Sequence, residues 1–361
     1  MSQAGRKCPR VKWDECFIFQ TFPQSHPSND PKECPLTDHQ HCQPPHLEEY
    51  WRYDHLIHSC APVDPLLTGI IHPCDHDSLQ GAIQAAQANL LVPFLIGPKG
   101  RIKKTAEKEG LDISPYKIID SKHSHHAAEI AVAMALSGEV EALMKGSLHT
   151  DEVMGEVVKK NKGLRTDRRI SHVFLMDIPN FPRPLLITDA AINIAPTLAI
   201  KVDICQNAIE LAHSMGIPTP KVAVLSAVET VNPAIQSTLD AAALSKMAER
   251  GQIVGGIVDG PLAYDNAISV EAAQTKGIKS AVAGFADILL VPDLESGNML
   301  AKQLTWQAHA EGAGIVLGAK VPIILTSRSD NARTRMASVA VAARVVDARK
   351  KGLRLKSELA L

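Results

Sequence analysis

Several features are scarce or missing in this 361-residue sequence, and each absence excludes something. Aromatic residues make up only 4% against 45% hydrophobic residues in all. Any core must therefore be aliphatic, which suits an α/β protein with buried parallel strands. The formal net charge is −1, so the bulk charge offers no footprint for nucleic acid or a membrane surface. No apolar run reaches the ~18 to 20 residues of a membrane span, and the first ten residues hold no apolar segment that would act as a secretory signal. Cysteine is nearly missing from the body: Cys8, Cys16, Cys34, Cys42, Cys60 and Cys74 precede residue 75, and only Cys205 follows. A disulfide framework would staple the body, so reduced thiols and a cytoplasmic location are expected. Two phosphate-binding signatures are absent as well. There is no Walker loop, and Gly97, Gly100 and Gly110 do not form Gly-x-Gly-x-x-Gly.

What is present begins with a segment unlike the rest. Residues 1–57 carry Pro9, Pro23, Pro27, Pro31, Pro35, Pro44 and Pro45, with Trp13 and Trp51, and keep no helical or strand period. They read as an irregular leader. Cys34, His39, His41, Cys42 and His46 are zinc-ligand types, but no Cys-x-x-Cys or His-x-x-x-His pair is there, so no metal site is expected. From about His58, apolar runs alternate with alanine-rich amphipathic segments. Strands are expected at 67–72, 91–96, 116–119 and 140–144, each followed by a helix, which implies right-handed βαβ units and a parallel sheet. The runs 173–178 and 185–187 are joined by a linker too short for a crossover helix, so they are expected to be antiparallel, the only break in the pattern. Strand–helix units then resume, with strands at 222–225, 253–258, 288–291, 315–317 and 321–325. The break marks a second domain. The expected division is 58–165 plus 320–361 as α/β domain I and 166–319 as α/β domain II.

In parallel α/β sheets ligands gather beyond the carboxyl ends of strands, so the loops there carry the candidates. Lys145, Gly146, Ser147 and Thr150 supply charge, close backbone approach and hydroxyls; they read either as a phosphate cradle or as a turn with Thr150 as helix cap. Thr188 and Asp189 follow a strand, where a carboxylate can be a general base or a helix cap. Asp259 and Asp265 flank Gly260-Pro261, read as a rigid turn at a strand end. Asp293, Asn298 and Lys302 open a helix, suiting either an anion or ribose edge or a capping box. Ser327, Arg328 and Asp330, with Arg333 and Arg335 close behind, gather hydroxyl, guanidinium and helix N–H groups in one turn. Arg328 is the best single phosphate ligand among them. His123, His125 and His126 read as solvated or capping groups, and Cys205 as a small core residue.

Taken in order, Met144-Lys145-Gly146-Ser147 with Thr150, Ile187-Thr188-Asp189-Ala190-Ala191 with Asn193 and Pro196, Asp259-Gly260-Pro261 with Asp265, Pro292-Asp293-Leu294 with Asn298 and Lys302, and Thr326-Ser327-Arg328 resemble the phosphate acetyltransferase and phosphate butyryltransferase family over about residues 60 to 350. The resemblance implies two α/β domains like those of isocitrate dehydrogenase, an interdomain cleft, and a homodimer. It implies acyl transfer between coenzyme A and phosphate by direct thiolate attack in a ternary complex. Coenzyme A, acyl phosphate and phosphate would be substrates, with no bound cofactor or metal. Arg328 would hold phosphate and Ser327 would stabilise the transition state. Acetyl-type members carry an aspartate six residues after this arginine, where Thr334 stands here; Asp330, two residues after it, resembles the butyryl-type branch. Asp330, Asp189 and His149 are the candidate bases. Two alternatives stand beside this reading. A metal- and NAD-dependent dehydrogenase of the same fold would need Asp259, Asp265 and Asp293 to converge. The other is a non-catalytic protein that binds coenzyme A or acyl phosphate.

Overall fold

The computed structural model describes residues 51–327 and 330–353. Arg328, the cysteine and histidine cluster between residues 34 and 46, and most of the expected leader lie outside the described residues. Helix α1 (Trp51–His58) comes first, where irregular chain was expected. Then follow β1 (Leu66–Ile71), α2 (His76–Gln87), β2 (Leu91–Gly97), α3 (Lys99–Glu109), β3 (Lys117–Asp120), α4 (Ser124–Ser137), β4 (Ala142–Lys145) and α5 (Thr150–Val157). The helix ends follow local chemistry. Asp75 caps α2 by accepting the Ser78 N–H at 2.8 Å, and α3 and α4 stop at Gly110 and Gly138, both at positive φ.

The middle of the chain forms β5 (Ser171–Asp177), β6 (Leu185–Thr188), α6 (Leu198–Ser214), β7 (Lys221–Leu225), α7 (Gln236–Glu249), β8 (Ile257–Leu262), α8 (Tyr264–Ile268), α9 (Val270–Thr275), β9 (Ile288–Leu290) and α10 (Leu294–Gln307). The end forms β10 (Glu311–Leu317), β11 (Ile323–Ile324) and α11 (Ala332–Lys350). The eleven strands make one sheet in the order β3-β2-β1-β4-β11-β10-β5-β6-β9-β7-β8.

The expected parallel units form, and β5 and β6 pair antiparallel as expected. They are not the only break. β10 runs antiparallel to both its neighbours, β11 and β5. The turn between β10 and β11 is too short for a crossover helix, which forces the reversal. β8 also lies further along the chain than expected, so Asp259, Gly260 and Pro261 sit inside the strand rather than in a turn after it.

Alternate strand residues feed opposite faces. One face carries a single apolar cluster along the sheet, built with α2, α3, α6, α7 and α11. The other face has two separate clusters. One joins α4 and α5 to Ile71, Leu143 and Leu325; the second joins α8, α9 and α10 to Met176, Ile187 and Leu289. β4 therefore sends its chain to the face opposite that taken after β1 and β11, its two neighbours in the sheet. Diverging connections open a crevice at the carboxyl end of β4.

Candidate active site

Lys145 ends β4 in that crevice. It is 4% exposed, and its Nζ donates to the carbonyls of Gly146 at 3.4 Å and Leu148 at 3.3 Å. Gly146 is needed for packing of the chain on itself. A Cβ there would collide with the Ile71 carbonyl and lie 2.8 Å from that of His72. Ser147 is likewise tied to the neighbouring strand end. Its Oγ donates to the His72 carbonyl at 2.8 Å and accepts the Cys74 N–H at 3.2 Å. His72 has φ 54°, a conformation costing a non-glycine residue about 1–2 kcal/mol. The bonds to Ser147 hold it there, and burial pushes its imidazole pKa down. Thr150 is the first residue of α5; the cap is His149, whose N–H donates to Glu152 at 3.0 Å.

Across the crevice stand Thr326, Ser327 and Asp330, which follow β11. The Ser327 N–H donates to Asp330 Oδ2 at 2.6 Å. Arg335, 3% exposed, donates through Nη1 to Thr326 Oγ1 at 2.8 Å and through Nη2 to the Ser327 carbonyl at 3.1 Å. Burial raises the Asp330 pKa above the usual aspartate value, opposed by the Ser327 N–H and by the charges of Arg335 and Lys145. Lys145, Ser147, Ser327 and Asp330 thus gather at adjacent strand ends, β4 beside β11. Thr334 faces elsewhere, toward a shallow hollow on the α11 side lined also by Tyr53, Leu56, Leu175 and Ala337.

A second group stands at the carboxyl ends of β6 and β9. Asp189 is 2% exposed and accepts four donors: the N–H groups of Ala191 (3.0 Å), Ile192 (3.1 Å) and Asn193 (3.0 Å), and Asn193 Nδ2 (2.6 Å). So saturated, it organises its loop and has no lone pair left for a substrate proton. Asn193 Oδ1 accepts from Arg169 Nε at 3.0 Å, and Thr188 Oγ1 donates to the His172 carbonyl at 2.8 Å. Asn298 Nδ2 donates to the Ala190 carbonyl at 3.2 Å, which ties α10 to the same loop. Asp293 is the cap of α10, accepting Ser296 N–H at 2.8 Å.

His172 lies between the two groups. Its imidazole bonds the Leu325 carbonyl, feels the charge of Asp189, and is pushed down by burial to about 4. Gly314 of β10 makes this possible, because a Cβ there would lie 2.5 Å from the Leu325 oxygen and 3.1 Å from His172 Nε2.

The remaining expected residues are placed apart. Asp259 bonds the N–H of Gly260 at 2.8 Å and faces Ser245 of α7. Asp265 pairs with Lys276 at 3.1 Å on the surface, which lowers its pKa, and Lys302 is exposed on α10. Asp259, Asp265 and Asp293 form no metal cluster; among the described residues no group of three His, Cys, Asp or Glu side chains is placed to hold a metal ion. The dehydrogenase alternative loses the cluster it required. Sequence reasoning passed over His72 and His172, and did not choose Arg335. The signals were faint: a histidine beside an apolar run, a glycine facing it, and a lone glycine, Gly81, inside the alanine-rich α2.

A family model described as phosphate acetyl/butaryl transferase matches residues 122–343. A phosphate acetyltransferase of Rhizobium meliloti is 58% identical over 292 residues, covering 81% of this chain and 92% of its own. A phosphate butyryltransferase of Clostridium beijerinckii is 41% identical over 293 residues, covering 81% and 97%. Among solved structures, a branched-chain phosphotransacylase from Enterococcus faecalis V583 superposes with a TM-score of 0.68 at 31% identity, covering 78% of this chain and 99% of that one.

Proposed function

The chain belongs to the phosphate acetyl/butyryl transferase family, and from that premise we propose how its crevice carries out the reaction. The protein is an acyltransferase that moves a short acyl group between coenzyme A and inorganic phosphate, acyl-CoA + phosphate ⇌ CoA + acyl phosphate. In the direction of acyl-CoA, Asp330 takes the thiol proton of coenzyme A. The thiolate then forms the C–S bond at the acyl carbonyl, the tetrahedral oxyanion collapses, and the C–O bond to phosphate breaks. A thiol with pKa near ~8.5 needs only modest help to ionise. The observation that carries this reading is the convergence of Lys145, Ser327 and Asp330 at adjacent strand ends, with Asp330 made more basic by burial. Lys145 and Arg328 hold the departing phosphate. Ser327, whose backbone is fixed, donates to the oxyanion or to the phosphate oxygen.

The lobes carrying these loops are residues 58–165 with 320–361, and 166–319. The two separate apolar clusters on one sheet face support that division. The loops around Thr188, Asp189, Asn298 and Lys302, with Asp259 and Asp265, belong on the coenzyme A side of the intervening cleft. Acetyl is the preferred acyl group, because the acetyltransferase relative is 58% identical and the butyryltransferase relative 41%. A homodimer fits Met299 and Trp306, exposed at 65% and 70% and seven residues apart on α10. A cytoplasmic location fits the free thiols Cys60, Cys74 and Cys205.

The test is coenzyme A-dependent release of phosphate from acetyl, propanoyl and butyryl phosphate. Turnover fastest with acetyl phosphate is expected. Tight binding of coenzyme A with no transfer to any of the three would instead establish a binding protein.

A further inference from the structure

We propose that Arg335 is a positioning residue for the transfer: its guanidinium fixes the Thr326–Ser327 turn and presents a constant positive charge to Asp330. This rests on the role given above to Ser327 and Asp330.

The Ser327 residue is held from both sides. Asp330 takes its N–H at 2.6 Å, and Arg335 donates to its carbonyl at 3.1 Å while a second arm of the same fork holds the Thr326 hydroxyl at 2.8 Å. A planar guanidinium reaches both acceptors in fixed geometry, which a single ammonium cannot do.

For stability alone this arrangement is a poor choice. Arg335 is 3% exposed, forms none of the ion pairs found among the described residues, and leaves its Nε without a hydrogen-bond partner. Buried charge without a close counter-ion is unfavourable. A second local cost lies opposite. Gly81 interrupts the alanine-rich α2, where glycine is less favourable than alanine. Its missing side chain is the space Arg335 occupies: a Cβ on Gly81 would stand 2.7 Å from Arg335 Cδ and 3.1 Å from its Cβ. Two unfavourable choices meet at one point, and what they yield is a rigid Ser327 turn with a cation behind Asp330. Groups that sacrifice stability in this way concentrate at functional sites. Among the described residues, the charged groups facing Asp330 are Arg335 from α11 and Lys145 from β4, with the Ser327 N–H as its hydrogen-bond donor.

The experiment compares kcat against pH for acetyl phosphate and coenzyme A in wild type, R335K, R335Q and G81A. R335K keeps the charge and loses the fork. It should hold the acid limb of the profile near its wild-type position while kcat falls on the order of 100-fold, the scale of a misplaced reacting group. R335Q also removes the charge, so the ionised form of Asp330 is held less well and the acid limb should move to higher pH. G81A favours the helix but drives its methyl into Arg335; assayed at a temperature where it is fully folded, it should have a lowered kcat, and it carries the test alone if neither Arg335 variant folds. Wild-type kcat in G81A, or an R335Q acid limb coincident with wild type beside a lowered Tm, would overturn the proposal and leave Arg335 a structural residue. Wild-type protein that transfers no acyl group would overturn the underlying reading instead.

Discussion

Asp330 is a better proton acceptor than an ordinary surface carboxylate, and that quality has a stability cost. Burial raises its pKa above the ~3.9 of an unfolded aspartate. Its contribution to stability is therefore fully present below ~3.9 and is lost as pH rises through the folded value. Asp330→Asn should abolish most turnover, by about 10²- to 10⁴-fold, yet melt above wild type at neutral pH, with the gap closing in acid. Calorimetry beside a kinetic assay checks both halves, and a variant that is active or less stable contradicts the assignment. His172 shows the opposite sign. Its folded pKa is pushed down to about 4, so its contribution is present above ~6.5 and lost as pH falls from there through the folded value. His172→Gln keeps a donor for the Leu325 carbonyl and cannot titrate; urea midpoints should fall less between pH ~6.5 and ~4 than in wild type. At this scale the sequence showed residue types at strand ends but not their partners. Asp189 looked as suitable a base as Asp330, and only the four donors around it separate them.

Among the elements, strands were legible because aliphatic runs of five or six residues alternate with alanine-rich helical periods. Direction was not, because an apolar run reads the same both ways; β10 could be known as antiparallel only by weighing the short turn to β11. Asp259 and Pro261 entered β8 because the edge strand tolerates a proline. The glycine of the β4–α5 loop has a packing role that residue type and spacing do not reveal. Gly146→Ala should destabilise the fold by about 1–3 kcal/mol, because its methyl meets the Ile71 and His72 carbonyls; an unchanged denaturation midpoint would show the loop is looser than described. Helix α1, in a stretch whose sequence reads as irregular chain, is tied down by Arg52. That side chain pairs with Asp177 at 2.6 Å and bonds the Phe181 carbonyl at 2.5 Å, while Arg333, paired with Glu311, lies 3.9 Å over the Tyr53 ring. Short polar segments of this kind carry no period long enough to be seen. Arg52→Ala removes one partner of a half-buried, charge-assisted pair and should cost about 1.5–3 kcal/mol, measurable as a lowered urea midpoint.

For the molecule as a whole, the eleven strands belong to one sheet, and the clusters on one face stay apart while the other face is continuous. The acyl preference belongs to this scale, since it depends on how closely loops from different strand ends wall the bound acyl group. A kcat/KM series should fall from acetyl to propanoyl to butyryl phosphate, each added methylene changing the ratio by about 10- to 200-fold. Equal or rising values would place the specificity with the butyryl-type relatives instead. Direct transfer between two bound substrates at the Lys145–Ser327–Asp330 crevice is tested by exchange of labelled inorganic phosphate into acetyl phosphate. Label should enter acetyl phosphate when coenzyme A is present, stay out when it is omitted, and stay out of Asp330→Asn in both cases. Exchange without coenzyme A would reveal an acyl-enzyme, and would contradict the account.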